Sequence, residues 1–305
     1  MPDVITIGEI LADFVTEKNF YLLKPGGAIS NVAVNLSRHN IKTGIISKIG
    51  NDFIGDFLIN FLKKNKVDVS GIKKTDDYKT GLVFVFLDKK GERDFSFYGA
   101  PSADQFLNIK DINKKYIKSC RIFHFGSIGM IGFASRRATL KAIKVAKASG
   151  KIISYDPNVR LNLAEGNIGK FKANIKKYFK YADIIKLSKE ELKFLFNMQI
   201  NDLKQKNIFR SKIVFISCGK DGCYVKYKNF LKHIPGYKVK VVDTTGAGDA
   251  FMAGVLYKIL DLNIFKKGNY RKNFYKKKFR EKELIEIAKF ANKAGAKAVM
   301  KKGAV

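Results

Sequence analysis

The chain has 305 residues, 46% of them hydrophobic, with 59 Lys and Arg against 27 Asp and Glu for a formal net charge of +32. That apolar share excludes a disordered chain and fits one large domain, or two ordinary ones, with a full core. Cys120, Cys218 and Cys223 form no CxxC and leave an odd one over, which excludes a disulfide framework or zinc ribbon and suits a reducing, cytoplasmic setting.

Short apolar runs alternate with longer helical patterns, the rhythm of a parallel sheet with crossover helices. In chain order, strands are expected at 4–7, 43–49, 122–125, 151–155, 184–187 and 213–217. Helices are expected at 30–40, 55–65, 134–149, 189–196, 249–260 and 281–298. Asn40 ends the first helix, since asparagine tolerates the left-handed conformation found just past a helix end. The alternating run Lys238-Val-Lys-Val-Val242 predicts a further strand feeding the helix at 249–260. Two segments, 13–25 and 80–98, break the rhythm: they alternate like strands, and Asp88-Lys-Lys-Gly-Glu92 reads as a hairpin loop. They suit a small β lid over the carboxyl ends of the strands, where doubly wound sheets bind ligands; edge strands of the main sheet are the other reading.

The N-terminus enters an apolar strand almost at once, leaving no room for a signal peptide. Residues 122–134 are too few and too glycine-rich to span a bilayer. No repeat and no Pro- or Ser-rich linker divides the sequence. The expectation is a single domain over 1–305, α/β, a doubly wound and mostly parallel sheet with helices on both faces and a small lid.

The most informative residues are Asp243-Thr-Thr-Gly-Ala-Gly-Asp-Ala-Phe251. A glycine turn opening a helix presents backbone N–H groups that have no intrahelical partner, together with the positive end of the helix dipole, and so binds anions. Gly246 and Gly248 place no side chain between those amides and an anion. Asp249 is repulsive there unless it has a task. In phosphoryl transfer a carboxylate accepts the proton of the attacking hydroxyl while the amides of 247–249 hold the transferring group. Cradle and base in adjacent residues suggest a kinase; a turn whose acid merely complements the helix dipole is the competing reading.

The string at 243–251 resembles the C-terminal signature of the ribokinase-like (PfkB) carbohydrate kinases, and Gly26-Gly-Ala-Ile-Ser-Asn31-Val-Ala resembles the N-terminal one. Gly8-Glu-Ile-Leu-Ala-Asp13-Phe, Ser154-Tyr-Asp-Pro-Asn-Val-Arg160, Lys186-Leu-Ser-Lys-Glu-Glu191-Leu and Ala291-Asn-Lys-Ala-Gly-Ala296 are similar to segments of its fructokinase branch, in the same order. The resemblance covers nearly the whole chain. It implies ATP-dependent phosphorylation of a sugar primary hydroxyl, D-fructose first, with ribose, 2-keto-3-deoxygluconate and nucleosides as the alternatives.

Residue by residue, the resemblance implies that Asp249 is the base, with Gly246, Ala247 and Gly248 as the anion turn. Asp13, Gly26, Gly27, Asn31, Phe97 and Arg160 fall on the sugar side. Lys186, Glu191, Ser217, Gly219, Gly222 and Asn292 fall on the nucleotide side with Gly246 and Gly248. Glu191 is implied in organising Mg²⁺ through water, with Ser188 where the family's element usually has Asn. Asp243 and Thr245 match positions of a monovalent cation site; the short tail after Lys301 leads to the expectation of weak K⁺ activation. Lids of this kind imply a homodimer. Phe97-Tyr98 is followed by Gly99 and Ala100, where relatives acting on keto-acid sugars carry an arginine, so an acidic sugar is disfavoured.

Net charge raises nucleic acid as a partner, and 265–280, with lysines between aromatics, has the corresponding texture. Only nine of the basic residues are arginine, the better fork for phosphates and bases, and the lysines are dispersed. Nucleic acid is therefore not an expected partner, and a catalytically silent nucleic-acid-associated scaffold is the lesser reading. The three histidines form no cluster and are given no chemistry.

Overall fold

The main strands are apolar at nearly every position because both faces of their sheet are covered. The computed structural model describes residues 1–17, 20–87, 93–98, 101–164, 166–206, 208–209, 212–262, 264–265 and 268–305. Among them the strands are β1 (Val4–Ile7), β2 (Leu11–Glu17), β3 (Phe20–Gly26), β4 (Thr43–Gly50), β5 (Asp68–Thr75), β6 (Gly81–Leu87) and β7 (Arg93–Tyr98). Then come β8 (Ile122–Phe125), β9 (Ile152–Tyr155), β10 (Ile184–Ser188), β11 (Ile213–Ser217), β12 (Cys223–Tyr227) and β13 (Phe230–Ile234). The helices are α1 (Ala28–Arg38), α2 (Phe53–Lys64), α3 (Lys114–Ser119), α4 (Phe133–Ala148), α5 (Ile168–Lys176), α6 (Lys189–Phe196), α7 (Ala247–Leu260), α8 (Tyr270–Lys276) and α9 (Glu281–Ala298).

Nine strands form the main sheet in the order β13-β12-β11-β10-β9-β8-β1-β4-β5. All neighbours are parallel except the β11–β12 and β12–β13 pairs. Alternate residues feed two cores. Val4, Ile122, Ile152, Ile184 and Ile213 pack under Phe251, Met252 and Leu256 of α7 and the apolar face of α9. Ile5, Phe123, Ile153, Ile185 and Val214 pack on the opposite face with Ala138, Ala142 and Ala146 of α4. One strand period thus serves two layers, the doubly wound arrangement the sequence predicts.

The two segments that break the βαβ rhythm form a separate four-stranded sheet, β3-β2-β6-β7. β2 pairs antiparallel with β3 and parallel with β6, and β6 pairs antiparallel with β7. Leu11, Val83, Val85 and Phe97 cluster on one face, and Phe14, Phe84, Tyr21 and Tyr98 stack on the other. The lid reading therefore holds against the edge-strand reading; its expected hairpin loop, 88–92, lies outside the described residues.

Asn40 sits at φ 60, just past the end of α1, as its side chain permits. One expected strand does not form. Residues 238–242 pair with no strand among the described residues: Val241 and Val242 are 56% and 53% exposed, and the amides of Val242 and Asp243 donate to Val299 O at 2.7 and 3.1 Å. The segment is the return from edge strand β13 to α7, so its alternation has no sheet to bury against. β5, β12 and β13, and helices α3, α5 and α8, lie outside the expected elements.

Helix α8 corrects the texture of the basic segment at 265–280. Phe274 and Phe279 are core residues. Arg271 makes a bidentate pair with the fully buried Asp183, whose Oδ1 also accepts from Tyr275 Oη at 2.6 Å. These aromatics and this arginine pin α8 to the sheet rather than facing a nucleic acid. Among the described residues no helix is long and apolar enough to cross a membrane.

Candidate active site

The carboxyl ends of β1, β8, β9 and β10 release the chain at Gly8-Glu9, Gly126-Ser127, Asp156-Pro157-Asn158 and Ser188, all at one edge of the sheet. The N-termini of α1 and α7 open toward the same edge, and the lid lies above. Between them is a cavity of about 270 Å³. It brings together Asp13, Gly27, Asn31, Phe97, Arg160, Thr245, Gly246, Gly248 and Asp249, residues up to 236 positions apart in sequence (249 − 13).

Helix α7 begins at Ala247, so Gly246 is its N-cap, with φ 73. A side chain on Gly246 would meet Ala304 Cα at 2.6 Å, and one on Gly248 would lie 3.1 Å from Lys186 Nζ. The first intrahelical bond runs from Ala250 N to Gly246 O at 2.8 Å, and Ala247 N turns back to Thr244 O at 3.3 Å. The amides of Gly248 and Asp249 are thus the ones left to an anion, a narrower cradle than the three amides expected. Asp243 shapes the turn: its Oδ1 accepts from Thr245 N and its Oδ2 from Gly303 N, each at 2.8 Å, which brings the C-terminal residues beneath the glycines.

Asp249 is 6% exposed. Asn31 Nδ2 donates to its Oδ2 at 2.8 Å and Asn158 Nδ2 to its Oδ1 at 3.3 Å. Burial lifts its pKa above the ordinary carboxylate value, against the Asn31 hydrogen bond and the positive charges of Lys186 and Arg160. Asn31 therefore orients the Asp249 carboxylate, and its buried Oδ1 has no partner among the described residues.

Gly26 and Gly27 act by close approach. A Cβ on Gly27, at φ 98, would meet Glu9 O at 2.7 Å, and one on Gly26 would run into the Asp13 carboxylate. Phe97 contributes an apolar wall with Leu11 and Val83.

Several site residues carry no expectation from sequence. Glu9 lines the cavity at 1% exposure. Its Oε1 accepts from Ala28 N at 3.0 Å and its Oε2 has no partner among the described residues. Burial pushes its pKa up to about 7, with Asp104 and Asp249 adding and Arg160 opposing. Asp156 pairs with Lys186 at 3.1 Å, both nearly buried. Burial pulls the Lys186 ammonium down, but Asp156, Glu191 and Asp249 together hold it above its ordinary value, so it stays a cation beside the anion turn. Glu9, Asp156 and Asn158 stand just after apolar strands, inside segments that carry the family resemblance, but the sequence assigned them no role.

Glu191 forms a capping box at the start of α6: its Oε2 accepts from Ser188 N and its Oε1 from Val159 N, each at 2.7 Å. It clamps the 156–160 loop that carries Asn158 and Arg160. Ser217, Gly219, Gly222 and Asn292 do not line this cavity and gather beyond it, around β11–β13. Asn292 Nδ2 donates to Ile234 O and Pro235 O at 3.1 and 3.0 Å, and a side chain on Gly222 would run into Ile234 O. Asn292 and Gly222 thus hold the turn after β13, while Ser217 Oγ donates to Leu187 O at 3.4 Å.

Among the described residues no three His, Cys, Asp or Glu side chains converge as a metal site. With both Glu191 oxygens taken by amides, these residues fit a Mg²⁺ that rides on nucleotide phosphates with its waters, not one held in a protein cage.

The model of the pfkB family carbohydrate kinases matches residues 1–305. The chain belongs to that family. It is 38% identical over 318 residues to the probable fructokinase-5 of Arabidopsis thaliana, covering all of this chain and 93% of that one. The fructokinase of Vibrio cholerae O395, solved with fructose, ADP and calcium ion, superposes with a TM-score of 0.86 at 32% identity, over 99% of this chain and 94% of that one. A double mutant of that enzyme was solved with fructose, ADP and potassium ion. The aminoimidazole riboside kinase of Salmonella enterica superposes with a TM-score of 0.82 at 29% identity, over 99% and 94%. This chain is thus a carbohydrate kinase with the ribokinase-like fold.

Proposed function

We propose that this PfkB protein transfers the γ-phosphoryl group of ATP to a primary hydroxyl of D-fructose. The observation that carries the chemistry is Asp249 at the mouth of α7, buried, hydrogen-bonded by Asn31 and directly beside the two outward amides. The sugar hydroxyl oxygen attacks phosphorus in line, its proton passes to Asp249, and the bond to the ADP oxygen breaks. The amides of Gly248 and Asp249, with Lys186, stabilise the charge that develops on the transferring group. Arg160, lining the same cavity, adds positive charge on the sugar side. Mg²⁺ bound to the phosphates would neutralise charge on them, with Glu191 acting at most through water. Asp243 and Thr245 are the residues proposed for K⁺, and we expect weak activation because the Asp243 carboxylate already serves two amides.

For the sugar, Asp13, Asn31, Glu9 and Asn158 supply a polar edge that suits several hydroxyls, and Phe97, Leu11 and Val83 an apolar wall. Fructose is favoured by the fructokinase relatives. Acidic sugars are disfavoured by the three carboxylates lining the cavity and by Gly99-Ala100 after the lid aromatics. Ribose and nucleosides remain the neutral competitors. The stacked face of Phe14, Phe84, Tyr21 and Tyr98, with Tyr98 65% exposed, supports a homodimer through the lids. Three free thiols support a reducing compartment such as the cytoplasm.

The test is ADP release on fructose, ribose, an aminoimidazole riboside and 2-keto-3-deoxygluconate, run beside Asp249→Asn. Fructose should give the highest kcat/KM, and the variant should fold and bind sugar but lose about 10³-fold or more in kcat. A variant turning over within about tenfold of the parent would refute the base. Preference for 2-keto-3-deoxygluconate would refute the lid argument, and preference for a riboside the choice of sugar.

A further inference from the structure

Glu9 stands just past the carboxyl end of β1, in the wall of the sugar cavity, yet proton transfer to Asp249 asks nothing of it. The backbone that carries it is fixed. Gly8 N donates to Ile46 O at 3.2 Å, and Ser47 Oγ donates to Gly8 O at 2.7 Å. Gly27 passes so close that a Cβ there would meet Glu9 O at 2.7 Å. The side chain is held at one oxygen, Oε1, which accepts from Ala28 N at the start of α1 at 3.0 Å. The other oxygen, Oε2, is buried and has no partner among the described residues. A buried carboxyl oxygen without a partner is costly as an anion and as an acid alike, so in a cavity wall it marks a place for a ligand.

What Oε2 offers follows from its neighbours. A sugar hydroxyl both gives a hydrogen and receives one. Asp13 and Asp249, as carboxylates, only accept, and so does the buried Asn31 Oδ1. The side-chain amides of Asn31 and Asn158 are turned to Asp249, and Arg160 gives Nη1–H to Asn158 Oδ1 and Val159 O. The polar edge is therefore richer in acceptors than in donors. An ionised Glu9 would add one more acceptor and one more negative charge; a protonated one supplies a hydrogen. The surroundings favour the acid. Burial is the largest cause lifting its pKa to about 7, and Asp104 and Asp249 add to it, against a backbone hydrogen bond and Arg160. Asp13 brings a further carboxyl to the same cavity.

We infer that Glu9 is a substrate-binding residue that holds the sugar as an acid, Oε2–H donating to a hydroxyl oxygen while Oε1 keeps the Ala28 amide. This role rests on the sugar-kinase reading and adds to it a sign. Asp13 and Asp249 hold hydroxyl hydrogens as anions, so their ionisation strengthens sugar binding as pH rises. Loss of the Glu9 proton removes a donor and sets a negative charge against the lone pairs of the sugar oxygen, so it weakens binding as pH rises through about 7. On the alkaline side the sugar therefore binds together with one proton, taken from solvent onto Oε2, and no covalent bond is made or broken.

Isothermal titration calorimetry of D-fructose without nucleotide, at about pH 6 and about pH 8.5, reads this apart from catalysis. The parent should bind about tenfold more weakly at the higher pH and take up protons there, seen as a dependence of the heat on the buffer's ionisation enthalpy. Glu9→Gln keeps an acceptor for Ala28 N and puts an N–H in place of Oε2–H. It should bind within about threefold of the parent at the lower pH and lose both the alkaline weakening and the proton uptake. Glu9→Leu, with neither oxygen, should bind about tenfold or more weakly at the lower pH. Undiminished parent affinity at the higher pH, or the same alkaline weakening in Glu9→Gln, overturns the role. Should ribose or an aminoimidazole riboside exceed fructose in ADP release, that compound replaces fructose in the calorimetry, so the choice of sugar can fail while Glu9 is still decided. Binding of none of them overturns both readings together.

Discussion

Replacing Asn31 by Ala isolates the electrostatics of the proposed base, Asp249. The bond from Asn31 Nδ2 to Asp249 Oδ2 is 2.8 Å long, and both residues are buried. A hydrogen bond to a charged group contributes about 1.5–3 kcal/mol, and one pKa unit corresponds to about 1.4 kcal/mol, so its loss lifts Asp249 by about one to two units. The sign follows from the proposed task. As the proposed base Asp249 must be ionised to accept a proton, and burial has already raised its pKa. A further rise leaves less carboxylate at any given pH, so the acidic limb of the kcat profile moves to higher pH. The assay is kcat at saturating fructose and ATP from about pH 5 to about pH 9, where kcat reports the ionisation of the ternary complex. The limb should move up by about one to two pH units, and the alkaline plateau should stay within about tenfold of the parent. Sugar KM should rise as well, because the unpartnered Oδ1 is lost. An unmoved limb with a lowered plateau would refute the reasoning, since Asn31 would then serve the sugar alone.

Gly246→Ala forces a residue at φ 73 to carry a side chain within 2.6 Å of Ala304 Cα; the protein should stay folded by circular dichroism but lose about 10²-fold in kcat/KM for ATP as the anion turn shifts. Glu9→Gln tests the buried acid through stability. With a folded pKa of about 7 against an ordinary 4.5, Glu9 favours folding only while protonated, and that contribution is lost as pH rises from 4.5 through about 7. Denaturant melts should therefore show the variant more stable than the parent by up to about 3 kcal/mol at pH 8 and nearly equal to it at pH 4.5. Equal melts at both values would mean that Glu9 is ionised in the fold without penalty.

The layer structure could be read from sequence because one physical signal encodes it. Apolar residues are needed on both faces of a buried parallel strand, so β1, β8, β9, β10 and β11 stand out as short, mostly apolar runs. The same signal misleads at 238–242, where valines alternate with lysines but the segment passes along the rim of the sheet and leaves the valines half exposed. Alternation reports that one side could be buried, not that a neighbouring strand exists to bury it. β5 went unnoticed for the opposite reason: an edge strand bearing Lys73 and Lys74 carries little apolar contrast.

At the site, the legible residues were those whose backbone sets the chemistry. A glycine turn entering a helix requires particular residue types in a fixed local order, so Gly246, Gly248 and Asp249 announce themselves. Lys186 and Glu191 come from one chain segment and Asp156 from another, and their meaning is mutual. Asp156 and Lys186 stand just past and within neighbouring strands β9 and β10, which the parallel register sets side by side. Glu191 then reaches back from α6 to hold the loop after β9. Read singly, each is a charge at the end of a strand or in the first turn of a helix, and most such charges are solvated. Only the strand order turns them into one buried assembly, in which a cation is kept charged by carboxylates and held 3.1 Å from where a side chain on Gly248 would begin. The anion turn therefore owes its field to residues that strand pairing, not local sequence, delivers to it.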